Sequence, residues 1–112
     1  MDGLRYRLTL RLYRADKSFG PGPMRLMQGV RATGSLQQAA DQMGMAYSKA
    51  WKTLRQAERE LGFALLVRHS GGAHGGGSAL TEQGRAFLER YEAMVREVDQ
   101  AAETAFQKYF PE

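Results

Sequence analysis

Ser48, Lys52, Arg55 and Arg59 follow one another at steps of four, three and four, a spacing that gathers side chains onto one face of a helix. Tyr47 and Lys49 flank the first turn of that face. Lys and Arg can donate to guanine O6 and N7 or to phosphate oxygens, and Ser can serve either, so the face has the chemistry to read a duplex. Further on, Arg68, His69, Ser70 and His74 border or enter a glycine tract and could follow a phosphate backbone or a minor groove. Ser35 precedes a run with helical spacing, where the free N–H groups of a first turn attract anions. A Lys/Arg stripe is also how an ordinary helix keeps one face wet. Only the elements that carry these residues can decide between the two.

Other chemistries have less to stand on. No Ser/His/Asp, paired-carboxylate or Cys/His arrangement is visible, so an enzyme is not expected. The chain has no Cys, which excludes disulfides and thiolate metal sites. His69 and His74 lack the acidic or thiol neighbours of a metal site. The tract Gly71-Gly72-Ala73-His74-Gly75-Gly76-Gly77 lacks the Gly-Lys-Ser/Thr ending of a nucleotide loop and does not run from a strand into a helix. No cofactor is therefore expected, and the six Met read as gap fillers. At 112 residues and 43% hydrophobic the chain fits one small domain with a modest core. No apolar run approaches the roughly 20 residues of a membrane helix, and the expected location is the cytoplasm, with no membrane partner.

The charge is uneven. Residues 1–79 carry 12 Lys+Arg and 5 Asp+Glu, a net +7, while residues 80–112 carry 4 and 7, a net −3. A basic head with a separate interaction tail has this pattern.

The positioning elements follow from periodicity and punctuation. Leu4, Tyr6, Leu8, Leu10 and Leu12 alternate with Arg5, Arg7, Thr9, Arg11 and Tyr13, which predicts a half-buried strand over 4–14. Its arginines read chiefly as a means of keeping an edge strand soluble. Pro23 suits the first position of a short helix carrying Leu26, Met27 and Val30, which Gly34 stops. Ser35 with Gln38 has the capping-box spacing, and Leu36, Ala39, Ala40 and Met43 predict a helix from about 35 to 43. Gly44 breaks the chain. A third helix follows over 46–61, with Ala50, Leu54, Ala57 and Leu61 facing inward, Trp51 packed beside them, and Gly62 as terminator. Two helices joined by a few residues around a Gly, with Ala at the crossing, make a helix-turn-helix over 35–61. Leu65, Leu66 and Val67, the glycine tract, and Ser78, Ala79 and Leu80 then predict a hairpin over 65–80. A hairpin directly after a helix-turn-helix is a wing, and the basic stripe falls on the one helix such a topology presents to DNA.

Thr81 caps a last helix over 81–110. Phe87, Tyr91, Met94, Val98, Ala101 and Ala105 form one apolar row along it, and Leu88, Val95, Ala102, Phe106 and Tyr109 a second. One row can serve the core. The other needs a partner, for which a second copy of the helix is the simplest choice. The expected dimer interface is Phe87, Leu88, Tyr91, Met94, Val95, Val98, Ala102, Ala105 and Phe106.

The runs Gly34-Ser35-Leu36-Gln37-Gln38-Ala39-Ala40 and Gly44-Met45-Ala46-Tyr47-Ser48-Lys49-Ala50-Trp51, the span Leu65 to Gly77, and Leu80-Thr81-Glu82-Gln83-Gly84 resemble the N-terminal DNA-binding domain of the ModE family, molybdate-responsive transcriptional regulators. More distantly they resemble the DNA-binding domain of LysR-type regulators. The similarity covers about residues 4–110. It implies a homodimer joined through these domains, with two recognition helices on a palindromic site. It also places Tyr47, Ser48, Lys49 and Lys52 at the groove and the 68–77 hairpin alongside. Full-length members continue into molybdate-binding domains, which this sequence does not contain, so a stand-alone regulator is expected and molybdate sensing is not carried over. Ala46 stands where a capping Ser is usual, which weakens the start of the recognition helix.

The fold class expected is mainly α with small β: a winged helix-turn-helix head over 1–80 and a long C-terminal dimerisation helix within the same domain. The expected partner is double-stranded DNA, contacted by Ser35, Tyr47, Ser48, Lys49, Lys52, Arg55, Arg68, His69, Ser70 and His74. A separate effector-binding protein is a further candidate partner. The rival readings are a protein-interaction adaptor and a non-specific architectural DNA binder built on the same fold.

Overall fold

The computed structural model describes residues 3–69 and 77–111. Its elements run in the order β1 (Leu12–Tyr13), β2 (Lys17–Phe19), α1 (Pro21–Thr33), α2 (Leu36–Gln42), α3 (Tyr47–Leu61), β3 (Leu66–His69), β4 (Gly77–Leu80) and α4 (Glu82–Tyr109). The strands form two separate antiparallel pairs, β1 with β2 and β3 with β4. In the second pair Leu66 faces Leu80 and His69 faces Gly77.

Local chemistry sets the boundaries. Helix α1 starts at Pro21, two residues before the expected Pro23, and contains both prolines. The first-turn N–H groups of a helix have no intrahelical acceptor, so neither proline removes a bond that would otherwise form. Ser35 caps α2, its hydroxyl accepting the Gln38 N–H at 3.1 Å. Gly62 ends α3 at φ 90°, a left-handed turn that a Cβ would strain. Gly29 serves packing instead. A Cβ there would meet the Ala39 Cβ at 2.5 Å, so α1 and α2 approach closely only because position 29 has no side chain.

The core is built from Phe19, Leu26, Met27, Val30, Leu36, Ala39, Ala40, Ala50, Leu54, Ala57, Leu65, Leu66, Leu88 and Tyr91. Of the alanines, Ala39 faces α1 at Gly29, and Ala40, Ala50 and Ala57 are buried with it. Phe19 meets Phe87 and Tyr91 edge to face, each at 4.9 Å between ring centroids, and Phe63 meets Phe87 at 5.8 Å. These contacts correct the expected dimer surface. Leu88 and Tyr91 are buried inside the chain and Phe87 is held in its aromatic cluster, because the head covers both apolar rows of the first α4 turns.

A polar clasp holds α1 to α4. Arg31 meets Glu92 through two hydrogen bonds, of 2.7 and 3.1 Å, and Gln28 Nε2 donates to the same carboxylate at 2.7 Å. The Arg31 bond holds the Glu92 carboxyl below its ordinary value, against the opposing effect of burial, and Gln28 assists.

The expected strand over 4–14 is replaced by another arrangement. Only Leu12 and Tyr13 are in a strand, paired with the residues of β2. The preceding segment runs antiparallel along α4. The Tyr91 hydroxyl donates to the Leu10 carbonyl at 2.6 Å. The Tyr6 hydroxyl donates to Glu103 at 3.1 Å, and its ring lies 4.9 Å from Phe106. Alternation requires only that neighbours face different surroundings, and here one of those surroundings is a helix.

Candidate nucleic-acid interface

Helix α3 is held by its inner face and presents the other. Ala50, Leu54 and Ala57 are buried, while Tyr47, Ser48, Lys49, Lys52 and Arg55 are exposed. The chain turns from α2 into α3 through the left-handed Gly44, with Met45 N–H donating to the Ala40 carbonyl at 2.9 Å. Ala46 occupies the N-cap in an extended conformation and makes no side-chain cap.

Two grooves flank the exposed face. One, of about 520 Å³, is lined by Ser48, Lys49, Lys52, Thr53 and Gln56. The other, of about 460 Å³, is lined by Ser35, Leu36, Gln37, Tyr47, Arg68, His69, Gly77 and Ser78. The fold thus gathers Ser48, Lys49 and Lys52 on one side of α3, and Ser35, Tyr47, Arg68 and His69 on the other. Ser70 and His74 lie outside the described residues. Thr53, Gln56 and Gln37 line the same grooves and were missed by charge. The signal for the first two was in the sequence, since Lys49, Lys52, Thr53 and Gln56 follow at steps of three, one and three on one helical face.

The wing base is tied to the start of α2, closed on itself at Thr81, and tied to α3. Ser78 N–H donates to the Gly34 carbonyl at 2.9 Å. Thr81 N–H donates to the Leu65 carbonyl at 2.9 Å, its hydroxyl donates to the Ala64 carbonyl at 2.6 Å, and that hydroxyl also accepts the Gly84 N–H. On the α3 side, Glu58 Oε2 accepts the N–H groups of Leu65 and Leu66 at 2.7 and 3.3 Å. The other oxygen, Oε1, pairs with Arg55 at 2.6 Å. Arg55 therefore differs from the lysines in the stripe, because a carboxylate already balances much of its charge.

Trp51 also departs from a simple core role. It packs against the core while only half-buried, and the Arg55 and Arg68 guanidinium carbons lie 4.4 and 4.7 Å from its ring centroid. Each such cation–π contact contributes about 0.5–1 kcal/mol at an exposed site.

A helix-turn-helix whose second helix is exposed, followed by a hairpin anchored beside it, defines a winged helix-turn-helix. The description "Bacterial regulatory helix-turn-helix protein, lysR family" matches residues 23–85, and the chain belongs to that family. The transcriptional regulator ModE of Haemophilus influenzae is 33% identical over 94 residues, which cover 84% of this chain and 36% of the relative. The DNA-binding transcriptional dual regulator ModE of Escherichia coli K12 is 30% identical over 90 residues, covering 80% and 34%. The chain thus spans about a third of the length of these relatives. Among solved structures, the crystal structure of the CbnR_DBD-DNA complex superposes with a TM-score of 0.62 at 20% identity, over 78% of this chain and 94% of that one. That likeness concerns the fold. Among the described residues no helix is long and apolar enough to cross a membrane.

Proposed function

We propose that the protein is a DNA-binding transcriptional regulator that places α3 in the major groove and the wing beside it. The observation that carries this reading is the position of Lys49 and Lys52. Both are exposed on the helix that the fold presents outward, next to Ser48 and Gln56 in one groove. Lysines so placed neutralise phosphates or reach base edges. Tyr47, Arg68, His69 and Ser35 line the opposite groove and meet the flanking backbone. The relatives named as regulators support the same reading.

The protein acts as a homodimer. Leu88, Tyr91 and Val95 pack on the head, and the same steps of three and four continue through Val98, Ala102, Ala105 and Tyr109 beyond it. Tyr109 is 67% exposed. A stripe of this period is what a second helix covers in a coiled coil. Met94, 46% exposed, borders it, while Phe106 is partly engaged by Tyr6. Two recognition helices related by a twofold axis read a palindrome with half-sites roughly 34–36 Å apart, or a multiple of that.

The test selects duplexes from a random pool and measures affinity for the winner across salt. The expected result is a defined inverted repeat whose affinity falls steeply as salt rises. Binding of every duplex alike would indicate an architectural binder, and no binding at any salt would overturn the reading.

A further inference from the structure

Four side chains meet where α3 abuts the wing. The guanidinium groups of Arg55 and Arg68 lie over the Trp51 ring, at 4.4 and 4.7 Å from its centroid. The Tyr47 ring stands at 90° to Trp51, 6.4 Å away, and its hydroxyl accepts a hydrogen bond from Arg68 Nη2 at 3.5 Å. Trp51 Nε1 is buried and has no hydrogen-bond partner among the described residues. An indole N–H turned into the protein cannot donate to a phosphate or a base. The part of Trp51 that reaches the surface is its ring, and that ring is occupied by arginine.

We propose that Trp51 is a positioning residue of the interface: its ring holds Arg68, at the base of the wing, in register with the recognition helix, so that Arg68 meets the DNA backbone pre-organised. The inference rests on the DNA-binding reading above and deepens it. The two arginines are not equivalent. Arg55 is paired with Glu58 at 2.6 Å, whereas Arg68 has no carboxylate partner among the described residues and keeps its charge for an incoming anion. A guanidinium lying on an aromatic ring retains the N–H donors along its edge, which are those a phosphate uses. Holding a long side chain in place beforehand lowers the ordering cost at binding. Arg68 and Trp51 lie on different elements, so the stack also fixes the wing against α3.

The test is a double-mutant cycle on the selected duplex, using Trp51→Leu, Arg68→Ala and the pair, with Trp51→Phe as the conservative variant. Each of the two single losses is expected to weaken binding about 10-fold and lower the salt slope by about one. The pair should be no weaker than either alone by more than about 2-fold, and Trp51→Phe, which keeps a ring face, should recover most of the affinity. A leucine that only loosens the fold gives losses that multiply, and that result overturns the inference while leaving the DNA-binding reading intact. If the wild-type protein binds no duplex, both fall together. Fluorescence keeps the test open where Trp51→Leu does not fold, because Trp51 is the single tryptophan. Duplex should shift its emission in the wild type and shift it far less in Arg68→Ala. Equal shifts in both proteins overturn the proposal.

Discussion

Glu58 Oε2 accepts the Leu65 backbone N–H at 2.7 Å, joining the outward helix to the residue that leads into the wing. The same carboxylate receives the Leu66 N–H and pairs with Arg55. Its side chain is only 11% exposed, so removing it leaves two backbone donors short of an acceptor. Glu58→Ala is expected to cost about 2 kcal/mol, as charge-assisted bonds of this kind do. Glu58→Gln keeps one acceptor and should cost less. Urea unfolding checks the order; equal stability for all three proteins would remove Glu58 from its anchoring role.

The uncapped start of α3 gives a prediction of opposite sign. Ala46 has φ −64° and ψ 144° and makes no side-chain cap, which is backbone that a capping Ser adopts. Ala46→Ser should stabilise the protein by about 1 kcal/mol, read as a higher urea midpoint at unchanged slope. A lower midpoint would mean that the hydroxyl cannot reach the first-turn N–H groups.

The clasp between α1 and α4 is sensitive to acid. Glu92 has its carboxyl lowered chiefly by the bond from Arg31, so the folded state binds its proton less readily than the unfolded chain. Its contribution is complete above the ordinary carboxylate value and disappears as pH falls through the lowered one. Glu92→Gln should cost about 1 kcal/mol at neutral pH, given that Arg31 is partly in solvent. It should also flatten the loss of stability as pH falls below the ordinary carboxylate range. Urea midpoints at several pH values check this, and parallel curves for the two proteins would contradict it.

Pairing through α4 can be broken without touching the head. Ala105 and Tyr109 are exposed past the last core contacts on the three-and-four stripe. Ala105→Glu with Tyr109→Glu is expected to turn a dimer into a monomer by light scattering, with helical content retained. A wild-type protein that is monomeric at tens of micromolar would refute the pairing.

What the sequence revealed was mostly local. Gly34, Gly44 and Gly62 end their helices, and Ser35 and Thr81 cap theirs, because each works within a few residues of chain. The relationships that were hidden cross the chain. Alternation from Leu4 to Leu12 could not show that Leu10 would meet Tyr91, or Tyr6 meet Glu103 and Phe106. Periodicity shows two apolar rows on the last helix without telling which neighbour covers each, and it is the head, with Phe19, that encloses Leu88 and Tyr91. In the candidate site, the lysine stripe was legible from spacing. That Glu58 would balance Arg55, and that Trp51 would lie beneath Arg68 from another element, depended on how the wing folds back.

The central claim is that the exposed face of α3 contacts DNA through Lys49 and Lys52. The most direct measurement is the salt dependence of affinity for the selected duplex, wild type against Lys49→Ala with Lys52→Ala. Each phosphate-contacting lysine adds about one to the slope of log affinity against log salt, so the variant should lose about two per protomer, along with at least 10-fold in affinity, while its urea unfolding is unchanged. An unchanged slope and affinity would make the stripe an ordinary wet helix face and contradict the account.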